Sequence, residues 1–229
     1  MPNVEGRDQP GLSRELILTE ALSILDEGGL GALSMRAVAS RLGVTPMALY
    51  FHFKNKAELL DALVQRVVAD IHLPDDPSAS WEELMLAFGT SGREVMRAHP
   101  GIAAAIIGEN PSGVGEPGLR LGERIYAAME AEGFDDVDMA VGFYTVMVFT
   151  LGFVAMETPR HAVPVAAAER DALVDRMEQF FASLPETDFP QHIRLAPHLA
   201  RISTSDQYDM GLQTIVAGLR ERLIQDEPF

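Results

Sequence analysis

Apolar residues recur at intervals of three and four along the chain of 229 residues, and no run of strict alternation is long enough to predict a strand. This period is typical of amphipathic helices, which bury one apolar face. Breaks rich in proline and glycine separate the helical stretches. The sequence therefore predicts an all-α fold.

Four helices are predicted in the first 72 residues. Ser13 can cap the first helix, and Gly28 and Gly29 can end it, because glycine adopts a left-handed C-cap conformation at little cost. Asn55 followed by Glu58 forms a capping-box pattern at the start of a long fourth helix. The second, third and fourth helices are expected at 34–42, 47–53 and 55–71.

A linker at 73–77, with two prolines and two aspartates, separates this region from a second helical region. Ser80 and Glu83 repeat the capping-box pattern directly after it. We therefore expect two domains, residues 1–72 and residues 78–229. Helices of the second are expected at 80–98, 101–108, 117–132, 137–157, 166–183 and 205–225.

The charge is shared unevenly between these regions. The chain carries 34 acidic and 18 basic residues, a formal net charge of −16, which excludes nucleic-acid binding through bulk basicity. The first 66 residues hold seven bases against eight acids, so a near-neutral head precedes an acidic body.

Without cysteine there is no disulfide, thiolate zinc site or cysteine nucleophile. The polar N-terminus lacks an apolar signal core, and we expect a cytoplasmic protein.

Residues 139–156 form a run of 18 positions without a charge, long enough to raise the possibility of a transmembrane helix. The run contains glycine, threonine and tyrosine, and it lacks a flanking Lys or Arg close by. We expect a buried helix of a large helical core instead, and no membrane contact.

Residues 35–53 have the anatomy of a helix-turn-helix. Two short helices meet at Gly43, which allows the positive φ of a tight turn, and Ala39 is small enough for close crossing. Such a pair can place its second helix in the major groove of DNA. The spacing also fits a plain helical hairpin, so the motif alone leaves both interpretations open.

The residues from 12 to 63, especially LSMRAVASRLGV at 33–44 and ALYFHFKNKAELL at 48–60, strongly resemble the TetR family of transcriptional regulators. Residues 188–190 and 208–219 are more weakly similar to the C-terminal domain of the tetracycline-repressor branch. The resemblance implies an N-terminal three-helix helix-turn-helix domain, joined by a long helix to a C-terminal helical domain that binds ligand and dimerises.

The resemblance also implies a set of DNA-binding residues. Arg36 matches a position that can reach a guanine edge, and Met47 and Ala48 are apolar and can contact thymine methyl groups or no base at all. Tyr50 has an alternative role in packing, and Lys54 an alternative as a solvated surface base. Leu49, Phe51 and Phe53 are expected in the core. The full set is Arg36, Thr45, Met47, Ala48, Tyr50, His52, Lys54 and Lys56.

The last helix and the uncharged helix are expected to form a four-helix bundle across a dimer axis. A purely intramolecular core is the alternative. Gly211 and Gly218 would permit close approach between helices. The last helix places one apolar stripe at Tyr208, Leu212, Ile215, Val216, Leu219 and Leu223.

Large, soft side chains of the second region suit an adaptable apolar effector pocket, although methionine at helical spacing is more often core. His72 aligns with a drug-contacting histidine of the tetracycline-binding relatives, whose metal-binding histidine has no counterpart here. We expect no metal, no cofactor and a larger, mostly apolar effector. The candidates are His72, Met85, Phe88, Met96, Ile102, Ile106, Tyr126, Phe143, Met147 and Phe153, with Phe149 beside them.

Two other functions are alternatives to DNA binding. An enzyme is disfavoured because the six histidines show no zinc-ligand spacing and no GxSxG or P-loop occurs. A helical protein-binding adaptor would use the helix-turn-helix as scaffold only. We expect a sequence-specific DNA-binding transcriptional regulator that binds a pseudo-palindromic operator as a homodimer. We expect it to be a repressor released by a small-molecule effector.

Overall fold

A computed structural model describes residues 12–109, 113–161, 167–200 and 204–225, and within them the chain is helical without strands. This confirms the all-α prediction. The predicted helix start at residue 166 lies outside the described residues. The helices are α1 (Arg14–Ala32), α2 (Met35–Leu42), α3 (Pro46–Tyr50), α4 (Lys56–Val68), α5 (Trp81–Ala98), α6 (Pro100–Glu109), α7 (Gly115–Glu132), α8 (Asp136–His161), α9 (Ala167–Ala182), α10 (Pro190–Leu199) and α11 (Thr204–Gln225).

The predicted helix starts are confirmed by their caps. Ser13 accepts a hydrogen bond from the Leu16 amide at 3.1 Å, and Asn55 accepts one from the Glu58 amide at 2.9 Å. The Ser80 hydroxyl accepts from the Glu83 amide while the Glu83 carboxylate accepts from the Ser80 amide, which completes a capping box. These bonds satisfy amides that have no partner within their own helix.

Two features differ from the sequence prediction. The third helix ends at Tyr50 instead of Phe53, so the recognition helix is shorter than predicted. Helix α10, which contains Pro190 and Pro197, was not predicted. Pro190 occupies the first turn of α10, where its missing N–H costs nothing, and Pro197 is accommodated near its end.

The chain divides into two compact units. The first consists of Met1–His72 with Glu94–Glu123, and the second of Leu73–Arg93 with Arg124–Phe229. Helices α5 and α7 therefore contribute residues to both.

The core of the first unit forms where α1, α4 and α6 contact one another. Leu25 on α1 and Leu63 on α4 are fully buried. Gly101 on α6 lies directly against Leu25, because a Cβ there would stand 2.6 Å from Leu25 Cγ and 2.7 Å from its carbonyl oxygen. Gly29 has φ 68° and ψ −174°, which is a kink inside α1 and not the left-handed cap that the sequence predicted; α1 continues to Ala32.

The core of the second unit contains α8 packed antiparallel on α11, with α9 packed on α10. Gly142 lies against Leu219 and Gly211 against the Phe149 ring, so the close approach predicted at Gly211 is confirmed. Gly218 has open space around it within the chain, so the close approach at Gly218 stays a prediction for the partner subunit.

Helix α8 is apolar enough over Asp136–Glu157 to cross a membrane by composition alone, with a mean hydropathy of 1.9. Only 22% of that window is buried in the chain, so the prediction of a buried helix is not met by the chain's own core. The buried face turns toward α11, and the outer face exposes Val137, Val141, Tyr144, Val148 and Met156.

Candidate nucleic-acid interface and effector-binding region

The turn between α2 and α3 has the geometry of a helix-turn-helix. Gly43 ends α2 in the left-handed conformation, with φ 68° and ψ 26°. The Val44 amide donates to the Ala39 carbonyl at 3.0 Å, and the Ala39 side chain is buried where the helices meet. Thr45 holds the N-cap position of α3 without a side-chain capping bond. The short turn and the small side chain thus fix α3 against α2.

The recognition helix has one buried and one exposed side. Leu49 and Phe53 are fully buried, and being four apart they share a helical face. Met47, Tyr50 and Phe51 stand on the opposite side with 66%, 47% and 86% of their surface exposed. The core position expected for Phe51 is therefore wrong, because a residue two positions from both buried anchors cannot point the same way.

Two exposed cations lie near the recognition helix in the chain. Arg36, in the first turn of α2, and Lys54, just after α3, are exposed, and no side-chain hydrogen bond or ion pair involves either of them in the described part of the chain. Ala48 and His52 are half-buried beside them. The predicted DNA-binding residues thus include both exposed cations and two exposed large apolar side chains, Met47 and Tyr50.

Lys56 differs from the other predicted DNA-binding residues. Its ammonium group donates to the Leu30 carbonyl at 3.1 Å, and the side chain is half-buried. This bond satisfies a carbonyl near the C-terminal end of α1, where a cation is favourable. A phosphate contact by Lys56 would have to share or replace that bond.

Arg14 supports the recognition helix, and sequence reasoning missed it. Its guanidinium lies 4.1 Å from the centre of the Phe53 ring and donates to the His52 carbonyl at 2.9 Å. Glu58 lies 4.0 Å away. The three contacts hold the end of α3 against the N-terminus of α1. The sequence did not predict them because Arg14 is far from its partners in the chain.

Arg41 is neutralised by acids of α1. It contacts Glu27 at 2.7 Å and Glu20 at 3.0 Å. The hydrogen bond from Arg41, helped by one from Ser23, lowers the pKa of Glu27 from 4.5 to about 2. Arg41 therefore adds little to the positive charge that the head presents outward.

The predicted effector residues fall in both units. In the first unit, His72 is exposed, Met96 and Ile102 are buried, and Ile106 is half-buried. In the second unit, Met85 is buried and Met147 is half-buried.

One aromatic cluster unites three of the remaining candidates in the second unit. The Phe143 ring stacks on Phe88 at a centroid distance of 4.8 Å and meets the Tyr126 ring edge-on at 5.2 Å. Burial raises the pKa of the Tyr126 hydroxyl. Phe153 belongs to a second cluster around Tyr208 instead.

The second cluster surrounds a buried ion pair that sequence reasoning did not find. Arg93 on α5 donates twice to Glu157 on α8, at 2.7 and 3.1 Å. The Arg93 guanidinium lies 4.6 Å from the centre of the Tyr208 ring and 5.4 Å from that of Phe153. The available signal was an acid directly after the uncharged run 139–156.

Tyr208 completes this cluster. Its hydroxyl donates to the Gly89 carbonyl at 2.7 Å and lies 2.8 Å from the Thr150 hydroxyl. Burial is the main cause that raises the pKa of Tyr208 to about 12. The network thus joins α5, α8 and α11.

An open groove of about 730 Å³ lies elsewhere in the second unit, and none of the ten predicted effector residues lines it. In the described residues no group of three or more metal-ligating side chains occurs. The lining residues are Phe149, Pro197, His198, Asp206, Gln207, Met210, Gly211, Thr214 and Ile215.

Comparison with known proteins places these features in a family. The model for bacterial regulatory proteins of the tetR family matches residues 17–63, and that for the tetracyclin repressor-like C-terminal domain matches residues 73–223. An HTH-type transcriptional regulator of Saccharopolyspora erythraea is 31% identical over 95% of this chain and 89% of its own length. The class A tetracycline repressor of Escherichia coli, from transposon 1721, is 29% identical over 92% of both chains.

Solved structures agree with the sequence matches. Apo ActR from Streptomyces coelicolor has a TM-score of 0.79 and 27% identity, covering 96% of this chain and all of its own. ActR in complex with actinorhodin has a TM-score of 0.77 and 28% identity, covering 93% of this chain and 98% of its own.

The matching proteins are DNA-binding transcriptional regulators, which are not enzymes. The chain belongs to the TetR family. Proteins of this family bind operator DNA and small-molecule ligands and act as dimers, which confirms the predicted partners.

Proposed function

We propose that this protein is a cytoplasmic repressor that binds a pseudo-palindromic operator and is released by a mostly apolar small molecule. The observation that carries the DNA-binding half is the exposed side of α3. Apolar side chains of the recognition helix are exposed there, and two exposed cations near it in the chain, Arg36 and Lys54, have no ion-pair partner in the described residues. We also propose that the chain has two domains, residues 1–72 and residues 78–229.

Each residue of the interface has a chemical role in this proposal. Arg36 donates to a guanine edge, for which a guanidinium has matching geometry. Met47 and Ala48 contact thymine methyl groups, and Thr45 and Tyr50 contact base edges or phosphates nearby. Lys54 contacts phosphate as a point charge. His52 and Lys56 are assigned to phosphates at the margin of the contact.

The dimer that the family forms supports a role for the outer face of α8. Its exposed apolar residues and the neighbouring Met210 of α11, 70% exposed, would otherwise face water. We assign this surface to the partner subunit, as a four-helix bundle of two α8 and two α11 helices. The two heads then read half-sites about 34–36 Å apart.

The effector half of the proposal rests on side-chain chemistry. The Phe88–Tyr126–Phe143 cluster offers flat apolar surfaces and one hydroxyl, which suits an aromatic ligand with few polar groups. ActR, 28% identical, binds actinorhodin. The remaining candidates in each unit stay predicted effector contacts.

The DNA-binding proposal is tested by fluorescence anisotropy on a duplex that the wild-type protein selects from a random pool. Arg36→Ala should lose about tenfold to a hundredfold in affinity for that duplex, because one bidentate base contact disappears. The matched control is Arg120→Ala, which removes an exposed arginine of α7 paired with Glu116. Equal binding by both variants would contradict the role of Arg36.

The effector proposal is tested by titrating the labelled complex with actinorhodin. Wild-type protein should leave the duplex, and Phe143→Ala should need a higher actinorhodin concentration because the stacked cluster is incomplete. Magnesium with tetracycline should not release it. Release by magnesium–tetracycline, and none by actinorhodin, would reject the apolar effector.

A further inference from the structure

Helix α1 carries acidic side chains that bind bases of two other helices. It packs against both α2 and α6 in the first unit. Asp26 and Glu27 are neighbours on α1, and successive residues of an α-helix point about 100° apart. Asp26 contacts His99, the residue directly before α6. Glu27 contacts Arg41, in the last turn of α2. Two adjacent carboxylates thus connect α6 to α2 across one helix.

The contact with α2 is a fork of hydrogen bonds. Both Nη atoms of Arg41 donate to the Glu27 carboxylate, at 2.7 and 2.8 Å, and its Nε donates to Glu20 at 3.0 Å. The Ser23 hydroxyl accepts a further bond from the same guanidinium at 2.9 Å. Exposed ion pairs contribute little unless their geometry is bidentate or several charges form a network, and this cluster meets both conditions. The fork therefore fixes the end of α2 against one face of α1.

The contact with α6 joins side chains and backbone. His99 Nδ1 lies 2.8 Å from Asp26 Oδ2, and Asp26 Oδ1 is buried without a hydrogen-bond partner among the described residues. The His99 carbonyl accepts from the Ile102 amide at 3.0 Å, which ties the ring to the first turn of α6. Gly101 lies directly against Leu25, the residue before Asp26. Loss of the imidazole would leave a partly buried carboxylate without a partner, which is unfavourable, and α1 would shift as the carboxylate turned to water.

We propose that His99 and Arg41 are positioning residues for operator binding, and that α1 carries their effect to Arg36. The inference rests on the proposed function, in which Arg36 donates to a guanine edge from the first turn of α2. A bidentate base contact needs the guanidinium at a defined distance and angle. Arg36 lies on the helix that Arg41 fixes, and His99 holds the same α1 from the side of α6.

A positioning residue has a different signature from a phosphate contact. Displacement of Arg36 reduces the preference for the operator over other sequences, whereas non-specific binding depends on the phosphates. Because neither His99 nor Arg41 neutralises a phosphate, the slope of log affinity against log salt does not depend on them. Unfolding of the head would differ again, since it would weaken binding to every duplex.

The test is a salt titration of fluorescence anisotropy on the duplex that wild-type protein selects and on a scrambled duplex. His99→Leu should reduce the preference for the selected duplex about tenfold, with unchanged affinity for the scrambled duplex and an unchanged salt slope. His99→Asn should regain most of the preference, because its amide nitrogen takes the place of Nδ1. The matched control is His198→Leu, which removes an exposed histidine of α10 and should bind as wild type does.

Arg41 is tested by two substitutions on the same duplexes. Arg41→Lys keeps the charge without the fork, and Arg41→Met removes both. Both variants should lose about as much preference as His99→Leu and keep the salt slope, while Arg120→Met, at an exposed arginine paired with Glu116, should have no effect. The double variant of His99→Leu and Arg41→Met should lose less than the product of the single losses, because both residues act through α1.

Four results would overturn the inference alone: a preference of His99→Leu within about twofold of wild type, a salt slope lowered by about 1 in Arg41→Met, full preference in Arg41→Lys, or losses that multiply in the double variant. Wild-type protein without any preference, or Arg36→Ala with the preference of wild type, would overturn the proposed function together with this inference.

Discussion

The ion pair between Arg93 and Glu157 gives the sharpest stability prediction. Arg93 is 7% exposed and Glu157 is 2% exposed, and two hydrogen bonds join them. Arg93→Met keeps an unbranched apolar side chain in place but leaves the Glu157 carboxylate buried without this cation. Removing one member of a buried pair costs about 3–5 kcal/mol of the free energy of unfolding.

A second substitution separates charge from packing. Adding Glu157→Gln to Arg93→Met removes the uncompensated charge while keeping the shape of the side chain. Replacing both charges of a buried pair is often close to neutral. The double variant should therefore be more stable than Arg93→Met alone.

The measurement is urea unfolding at a fixed protomer concentration, because dimerisation couples stability to concentration. Arg220→Met is the matched control, since the Arg220–Glu82 pair has an arginine that is 58% exposed. That variant should lose less than about 1 kcal/mol. An equal loss for Arg93→Met and Arg220→Met, or a double variant less stable than Arg93→Met, would refute the reasoning.

Two further predictions concern the cores of the units. Tyr208→Phe should cost about 1–3 kcal/mol at neutral pH, since two buried hydrogen-bonding groups lose their partner. Burial raises the pKa of Tyr208 from 10.0 to about 12, so the free energy of unfolding of the wild-type protein should fall as the pH rises through this range. Urea unfolding of Tyr208→Phe should not show this fall. Gly101→Ala should cost about 1–3 kcal/mol, because its Cβ would collide with Leu25. Gly108→Ala, on the same helix in open space, should be neutral or stabilising by calorimetry; equal effects of the two glycine variants would contradict the packing argument.

The features that the sequence predicted correctly depend on neighbouring residues. Ser80 and Glu83 are three residues apart, and their mutual hydrogen bonds follow from the pattern alone. The left-handed turn at Gly43 is equally local, because a glycine has no Cβ that opposes this conformation. Helix period, caps and this turn therefore predicted the helical fold and the helix-turn-helix.

The errors fall where a residue type allows two environments. A phenylalanine is favourable in a core, and residue type alone does not separate Phe51 from Phe53. The structure separates them because α3 presents Leu49 and Phe53 to one side and Phe51 to the other. The same ambiguity affected α8, whose composition fits a buried helix although one face is open in the single chain.

Local sequence thus determined the helices, the turn at Gly43 and the family of this protein, because backbone propensity, capping and turn geometry act over a few residues. Tertiary structure decided which side chains are exposed on α3 and which charges are paired in the body. Arg93 and Glu157 are 64 positions apart, and Tyr208 and Gly89 are 119 apart. Such contacts depend on how the helices pack, since the burial of apolar faces brings together residues that no local pattern relates.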